Sequence, residues 1–202
     1  RNVTITQGNL DRLLNIWRGT NNAKVRGLNL SETDMTSLAG QLAIKMPERS
    51  EEILKEQVQN IKNPDSKKRF EFLLPALSAK TEVRDQFFAS LKDEKNRETE
   101  SWVLGGLGYL YHPLRREESE KYITESLELL QEIQVTGDIF FPKRWLDQTL
   151  GNHNTESAAQ LINDFLRENP DYNAQLKMKI LQAGDMTFRA TEILKKTSLK
   201  VE

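Results

Sequence analysis

Almost every stretch of this chain repeats its apolar residues at the period of an α-helix, and that feature confines it to a helical fold. Leu10, Leu13, Leu14 and Trp17 fall on one face, as do Leu38, Leu42 and Met46, and then Ile53, Leu54, Val58 and Ile61. The same i, i+3/i+4, i+7 spacing recurs over 70–77, 83–91, 102–111, 122–133, 158–166, 176–183 and 186–194, giving about eleven segments in all. Strand-like alternation is confined to Val3-Thr4-Ile5 and a short run at Asp138–Phe141 that meets a proline. Start signals agree with the period. Ser31-x-x-Asp34 is a relative of the capping box, and Pro142 suits a first helical turn, where its missing N–H costs nothing. Pro75, inside the 70–77 segment, should kink that helix.

The connections run from two to six residues, as between antiparallel neighbours. Pairing the segments gives hairpins that begin near 31, 67, 98, 142 and 172, at unequal steps of 36, 31, 44 and 30 residues. These steps lie near the HEAT and armadillo range without a fixed period. The expectation is one all-α domain over residues 1–202, an irregular α-α superhelix with residues 1–8 as an extended lead-in.

A chain of 202 residues can bury a sizeable core. With 29 Lys+Arg against 30 Asp+Glu the net charge is -1, which argues against nucleic acid as a partner. No stretch approaches the roughly 20 apolar residues of a membrane span, and the opening residues do not read as a signal peptide. The chain starts without Met, as an excised piece of a larger protein would.

Chemistry is sparse. There is no cysteine, and His112 and His153 stand apart with no H-E-x-x-H, so no metal ligands are expected and both histidines read as surface or capping residues. Gly105, Gly106 and Gly108 form G-G-x-G inside a helical pattern. They fit close helix packing better than a phosphate loop, which needs a preceding strand. The stretch 115–132 carries six glutamates against three basic residues, and 177–200 carries six basic residues against Asp185 and Glu192; both read as solvated helix faces. The sequons at Asn2 and Asn29 are short enough to occur by chance. One segment stands out. Residues 137–146, with Asp138, Ile139, Phe140, Phe141, Pro142, Lys143, Arg144 and Trp145, gather aromatics and cations around a helix start. Two readings remain open there: a hydrophobic staple that locks the chain into the helix, or a cationic, aromatic edge facing a cavity. Lys143 and Arg144 oppose the helix dipole, at a cost of about 0.3–1 kcal/mol if exposed. Asp147, three residues beyond Arg144, is its expected partner.

A set of short motifs carries a family resemblance. They are Gly27-Leu28, Leu30-Ser31-Glu32 with Asp34, Asn63-Pro64-Asp65, Arg69-Phe70-Glu71-Phe72-Leu73-Leu74-Pro75-Ala76-Leu77-Ser78, Val83-Arg84-Asp85-Gln86-Phe87-Phe88 and Asn96-Arg97. Further on come Glu100-Ser101-Trp102-Val103-Leu104, Tyr109-Leu110-Tyr111-His112-Pro113-Leu114-Arg115, residues 137–146 and Lys179-Ile180-Leu181-Gln182-Ala183. Together they resemble the C-terminal helical domain of gluzincin zinc aminopeptidases, the aminopeptidase N family, in a bacterial branch.

The resemblance implies a bowl of paired helices that closes over an active site held elsewhere in the same polypeptide and limits its access to peptides. The family's zinc ligands and catalytic glutamate lie on H-E-x-x-H, and its substrate amine is held by a G-x-M-E-N loop. Neither motif occurs in this sequence, so no catalytic residue and no cofactor is expected here; zinc would belong to the catalytic domain of the parent. In some members a basic residue of the helical domain touches the peptide's C-terminal end, which makes Arg144, with Lys143 and Tyr109, the candidate substrate contacts. The partners so implied are the catalytic domain and a peptide substrate, and the compartment a bacterial cytoplasm or periplasm. A free-standing HEAT-like scaffold that holds a protein partner is the competing reading.

Overall fold

The computed structural model describes residues 5–20, 23 and 25–198. Among them there are twelve α-helical segments and no strand. In chain order they are α1 (Gln7–Arg18), α2 (Glu32–Lys45), α3 (Ser50–Asn60), α4 (Pro64–Leu77), α5 (Thr81–Ser90), α6 (Glu100–Leu110), α7 (Arg116–Ser119), α8 (Ile123–Glu128), α9 (Leu130–Thr136), α10 (Phe141–Leu150), α11 (Glu156–Glu168) and α12 (Ala174–Ser198). One of them, α7, is a single turn, so about eleven helices of useful length remain, as the periodicity predicts. The helices gather into two compact units, residues 1–89 and 90–202, where the sequence showed no internal boundary.

In the first unit α2 packs on α1 and α3, and α3 on α4. Local signals set the helix ends. Gly19 closes α1 in the left-handed region at φ 68°, which its missing Cβ permits, and donates its N–H to Asn15 and Ile16 carbonyls. Ser31 and Asp34 form the complete reciprocal capping box: the Ser31 hydroxyl accepts from the Asp34 N–H at 3.1 Å, and the Asp34 carboxylate accepts from the Ser31 N–H at 3.1 Å. Asn63 caps α4 by accepting from the N–H groups of Asp65 and Ser66, with Pro64 as the first helical residue. The Asn63-Pro64 pair that reads as a helix stop is thus equally a helix start. Pro75 stands only two residues before the end of α4, so its missing N–H removes a bond from the last turn alone.

In the second unit α10 packs against α6, α9 and α12, and α11 against α8 and α12. The glycine-rich helix allows this approach: a Cβ at Gly108 would stand 3.1 Å from Gln148 of α10. Three expectations are corrected. The lead-in ends sooner, because α1 begins at Gln7; the Val3-Thr4 part of the suggested strand and the Asn2 sequon lie outside the described residues. The segment 122–133 is not one helix. At Leu129 the backbone flattens to ψ -17°, between α8 and α9, while Leu127, Leu130 and Ile133 all stay buried. Conversely, 176–183 and 186–194 are one continuous helix, α12. Gly184 does not break it but lets Phe188 and Ile162 come to 3.0 and 3.5 Å of where a Cβ would stand. No helix among the described residues is long and apolar enough to cross a membrane.

Candidate functional site

The site grows from the loop between α9 and α10. Gly137 is required by crowding: a Cβ there would lie 2.6 Å from the Phe141 ring and 3.0 Å from the Ile133 carbonyl oxygen. Asp138 then acts in two directions. Its N–H donates to Glu100 Oε1 at 2.7 Å, and its own Oδ1 accepts from the N–H groups of Phe140 (2.6 Å) and Phe141 (2.9 Å). That carboxylate satisfies donors left free at the start of α10 and places negative charge where the helix dipole favours it. It also offsets the dipole conflict that Lys143 and Arg144 create.

From this start the apolar residues divide. Phe141, Trp145 and Leu146 are fully buried. The two rings meet edge to face with centroids 6.0 Å apart, and the Trp145 indole N–H donates to the Ser126 hydroxyl at 2.8 Å and to its carbonyl at 3.1 Å. This inner half anchors the helix start, but not as a hydrophobic staple, because the residue before the cap, Ile139, and the fourth helical residue, Arg144, are both exposed. The outer half is different. Ile139 is 76% exposed and Phe140 62%, two adjacent large apolar side chains at the tip, and Val135 near the end of α9 is 84% exposed.

The cations beside this tip do not pair as expected. Asp147 binds Lys143 across one helical turn, at 2.7 Å, and not Arg144. An i, i+4 pair sits on one face, and the flexible lysine ammonium reaches along it. The Arg144 guanidinium instead lies over the Phe140 ring, 5.8 Å from its centroid, and is exposed. Arg18, Arg49, Arg97, Arg167 and Arg189, by contrast, each hold a carboxylate. Tyr109 is half-buried on α6, the helix against which α10 packs. The structure thus joins Lys143 and Arg144 in one exposed patch and sets Tyr109 on the supporting helix.

The histidines take different places. His112 caps the short helical turn at Pro113–Arg115, its Nδ1 accepting from the Leu114 N–H at 3.2 Å. His153 is a correction: it lies in a loop but is only 2% exposed, edge-on to the buried Tyr111 ring at 5.7 Å. Neither ring nitrogen has a hydrogen bond of normal geometry. Burial pushes its pKa down to about 4; Glu120 pulls it back up, Arg116 pushes it further down, and the Thr149 carbonyl weakly favours the charged form. Periodicity could not have found this residue, because a loop histidine carries no pattern. The charged stretch 115–132 is also not one solvated face, since Arg115 and Ser119 are buried.

The residues do not fit zinc. Among the described residues no three His, Cys, Asp or Glu side chains are grouped so as to hold a metal ion, and one histidine is a cap while the other is sealed in the core. The exposed Arg144 guanidinium has no carboxylate partner among the described residues and is set on an aromatic face, an arrangement chemically compatible with an anionic group beside apolar surface. No family model, curated protein or solved structure matches this chain.

Proposed function

We propose that this chain is a non-catalytic helical domain of a zinc-dependent aminopeptidase, one that caps the catalytic domain of the same polypeptide and shapes the cavity that receives the peptide. Two supports carry the reading. The sequence motifs from Gly27 to Ala183 resemble the C-terminal domain of that family, and the helical hairpins of both units suit an α-α superhelix. The single structural observation that favours a peptide contact is Arg144, exposed on the Phe140 ring while its neighbour Lys143 takes the local carboxylate. A peptide's terminal carboxylate is a chemical match for that guanidinium. Zinc-activated water would be the parent's means of cleaving an N-terminal residue, and none of that chemistry falls to the residues of this chain.

The reading makes a plain demand on the surrounding coding sequence. An H-E-x-x-H motif in the same frame upstream supports it. A start codon immediately before Arg1 contradicts it and favours the free-standing scaffold. That second reading has an observation of its own: Met178, Met186 and Ile193 stand exposed along α12 at spacings of eight and seven residues, an apolar stripe of the kind a protein partner covers.

A further inference from the structure

The segment between α10 and α11, Gly151-Asn152-His153-Asn154-Thr155, sends one buried side chain into the second unit, the imidazole of His153. Its other attachments are hydrogen bonds. The Asn152 carbonyl accepts from Arg116 Nε at 2.8 Å, and Asn152 Nδ2 donates to the Tyr111 carbonyl at 3.1 Å. The His153 carbonyl accepts from the Thr187 hydroxyl of α12 at 2.9 Å, and the Thr155 carbonyl from the Thr191 hydroxyl at 3.4 Å. The Thr155 hydroxyl donates to the Glu120 carboxylate and accepts from the Ala158 N–H at 3.2 Å, capping α11. Water competes for each of these bonds, so each adds only modest net stability. The ring is the segment's anchor in the core.

That anchor holds while the ring is neutral. A proton gives it a charge and makes both nitrogens donors. The groups around it do not receive them. Tyr111, at the end of α6, presents a ring edge-on at 5.7 Å, and burial pushes its phenol further up, away from ionisation. The Thr149 carbonyl of α10 offers no bond of normal geometry. The Thr187 hydroxyl of α12 already donates to the His153 carbonyl. Arg116 on α7 repels a second cation, and Glu120 attracts it, but its carboxylate oxygens already accept from Thr155 and Ser157. Burial outweighs the pull of Glu120 and holds the enclosed imidazole at about 4, against 6.5 in water. The closed segment is therefore fully favoured above about pH 6.5 and loses its advantage as pH falls toward 4.

We propose that residues 151–155 form an acid-released latch: a proton taken up by His153 carries the ring out of the core and frees the segment from α12 and from the start of α11, while the helices of the unit stay folded. The latch does not depend on the aminopeptidase reading, which rests on Arg144.

The test follows amide hydrogen exchange of the purified chain by NMR from pH 6.5 to 4, expressed as protection relative to the unstructured rate at each pH. The His153 amide, bonded to the Leu150 carbonyl, and the Ala159 amide, bonded to the Thr155 carbonyl, report the latch; the Trp145 amide in α10 reports opening of the whole unit. Protection at His153 and Ala159 should lie below that at Trp145, be insensitive to low urea, and fall by up to about 300-fold over this range. Glu120→Gln removes the carboxylate and should keep the fall, whereas His153→Phe should abolish it. Equal protection of all three amides at every pH would overturn the proposal, since the segment would then open only with the whole unit. Protection at His153 and Ala159 that does not change with pH would also overturn it, as would a fall that Glu120→Gln removes or that His153→Phe keeps. The native chain and Glu120→Gln decide the matter if His153→Phe fails to fold.

Discussion

One buried polar cluster in each unit shows polarity treated in opposite ways, although the buried Ser50 hydroxyl of the first unit also has no hydrogen-bond partner. In the first, Gln57 of α3 is almost wholly enclosed and fully employed: its Oε1 accepts from the Trp17 indole N–H at 2.9 Å, and its Nε2 donates to the Thr36 hydroxyl at 3.0 Å. Thr36 passes the chain on to the Glu32 carbonyl at 2.8 Å. Three helices are joined by polar groups that each have a partner. In the second unit the enclosed polar pair, His153 and Tyr111, touch edge to face, and neither the imidazole nitrogens nor the phenol has a hydrogen bond of normal geometry. Burying a polar group without a partner costs stability, and burying a charge costs more. The Gln57 cluster avoids that cost by hydrogen bonding. The cluster in the second unit limits it by keeping the imidazole neutral, and so acquires a pH dependence that the Gln57 network lacks.

The largest expected effect follows from that contrast. His153 has a pKa of about 4 in the folded protein against an ordinary 6.5, so the unfolded chain takes up the proton first. The stability associated with the neutral ring is complete above about pH 6.5, is lost progressively as pH falls toward 4, and falls no further below that, for a total of about 3 kcal/mol. Urea unfolding at a series of pH values should show this slope. His153→Phe, which keeps an aromatic ring against Tyr111, should flatten it, and an unchanged slope in that variant would assign the dependence to other groups.

Next in size, Gln57→Leu should destabilise by about 2 kcal/mol, because it strands the buried Trp17 donor. Equal stability would mean that water replaces the amide and that the network is less closed than its distances imply. The smallest effect sharpens the comparison from the other side. Tyr111→Phe removes a buried hydroxyl whose contact with Ser126 falls short of normal hydrogen-bond geometry, and should change stability by less than about 0.5 kcal/mol in either direction. A loss as large as that of Gln57→Leu would show that the two units are built alike after all.

The same contrast marks what the sequence made legible. Helices were readable because apolar period and caps are local: Ser31 with Asp34, Pro142 at the first turn of α10 and the glycine-rich α6 against α10 all behave as their residue types dictate. The break at Leu129 and the continuity through Gly184 were not readable, since both depend on what each helix packs against. At the candidate site, the crowded start of α10 and its exposed cations were visible in the residues 137–146. Which cation takes Asp147 was not, because i+3 and i+4 partners are both permitted and the choice depends on rotamers. The burial of His153 and the orphan hydroxyl of Ser50 are tertiary facts with no local signature.

The central claim, that Arg144 receives the C-terminal carboxylate of a peptide in an aminopeptidase, has one direct test. It compares KM for a short peptide with KM for an aminoacyl-anilide, which lacks that carboxylate, in the full-length polypeptide and in its Arg144→Ala variant. Loss of one exposed charge-assisted contact should raise KM for the peptide by about tenfold and leave the anilide within about twofold of its original value. Equal changes for both substrates, or no hydrolysis of either by the unaltered polypeptide, would contradict the account.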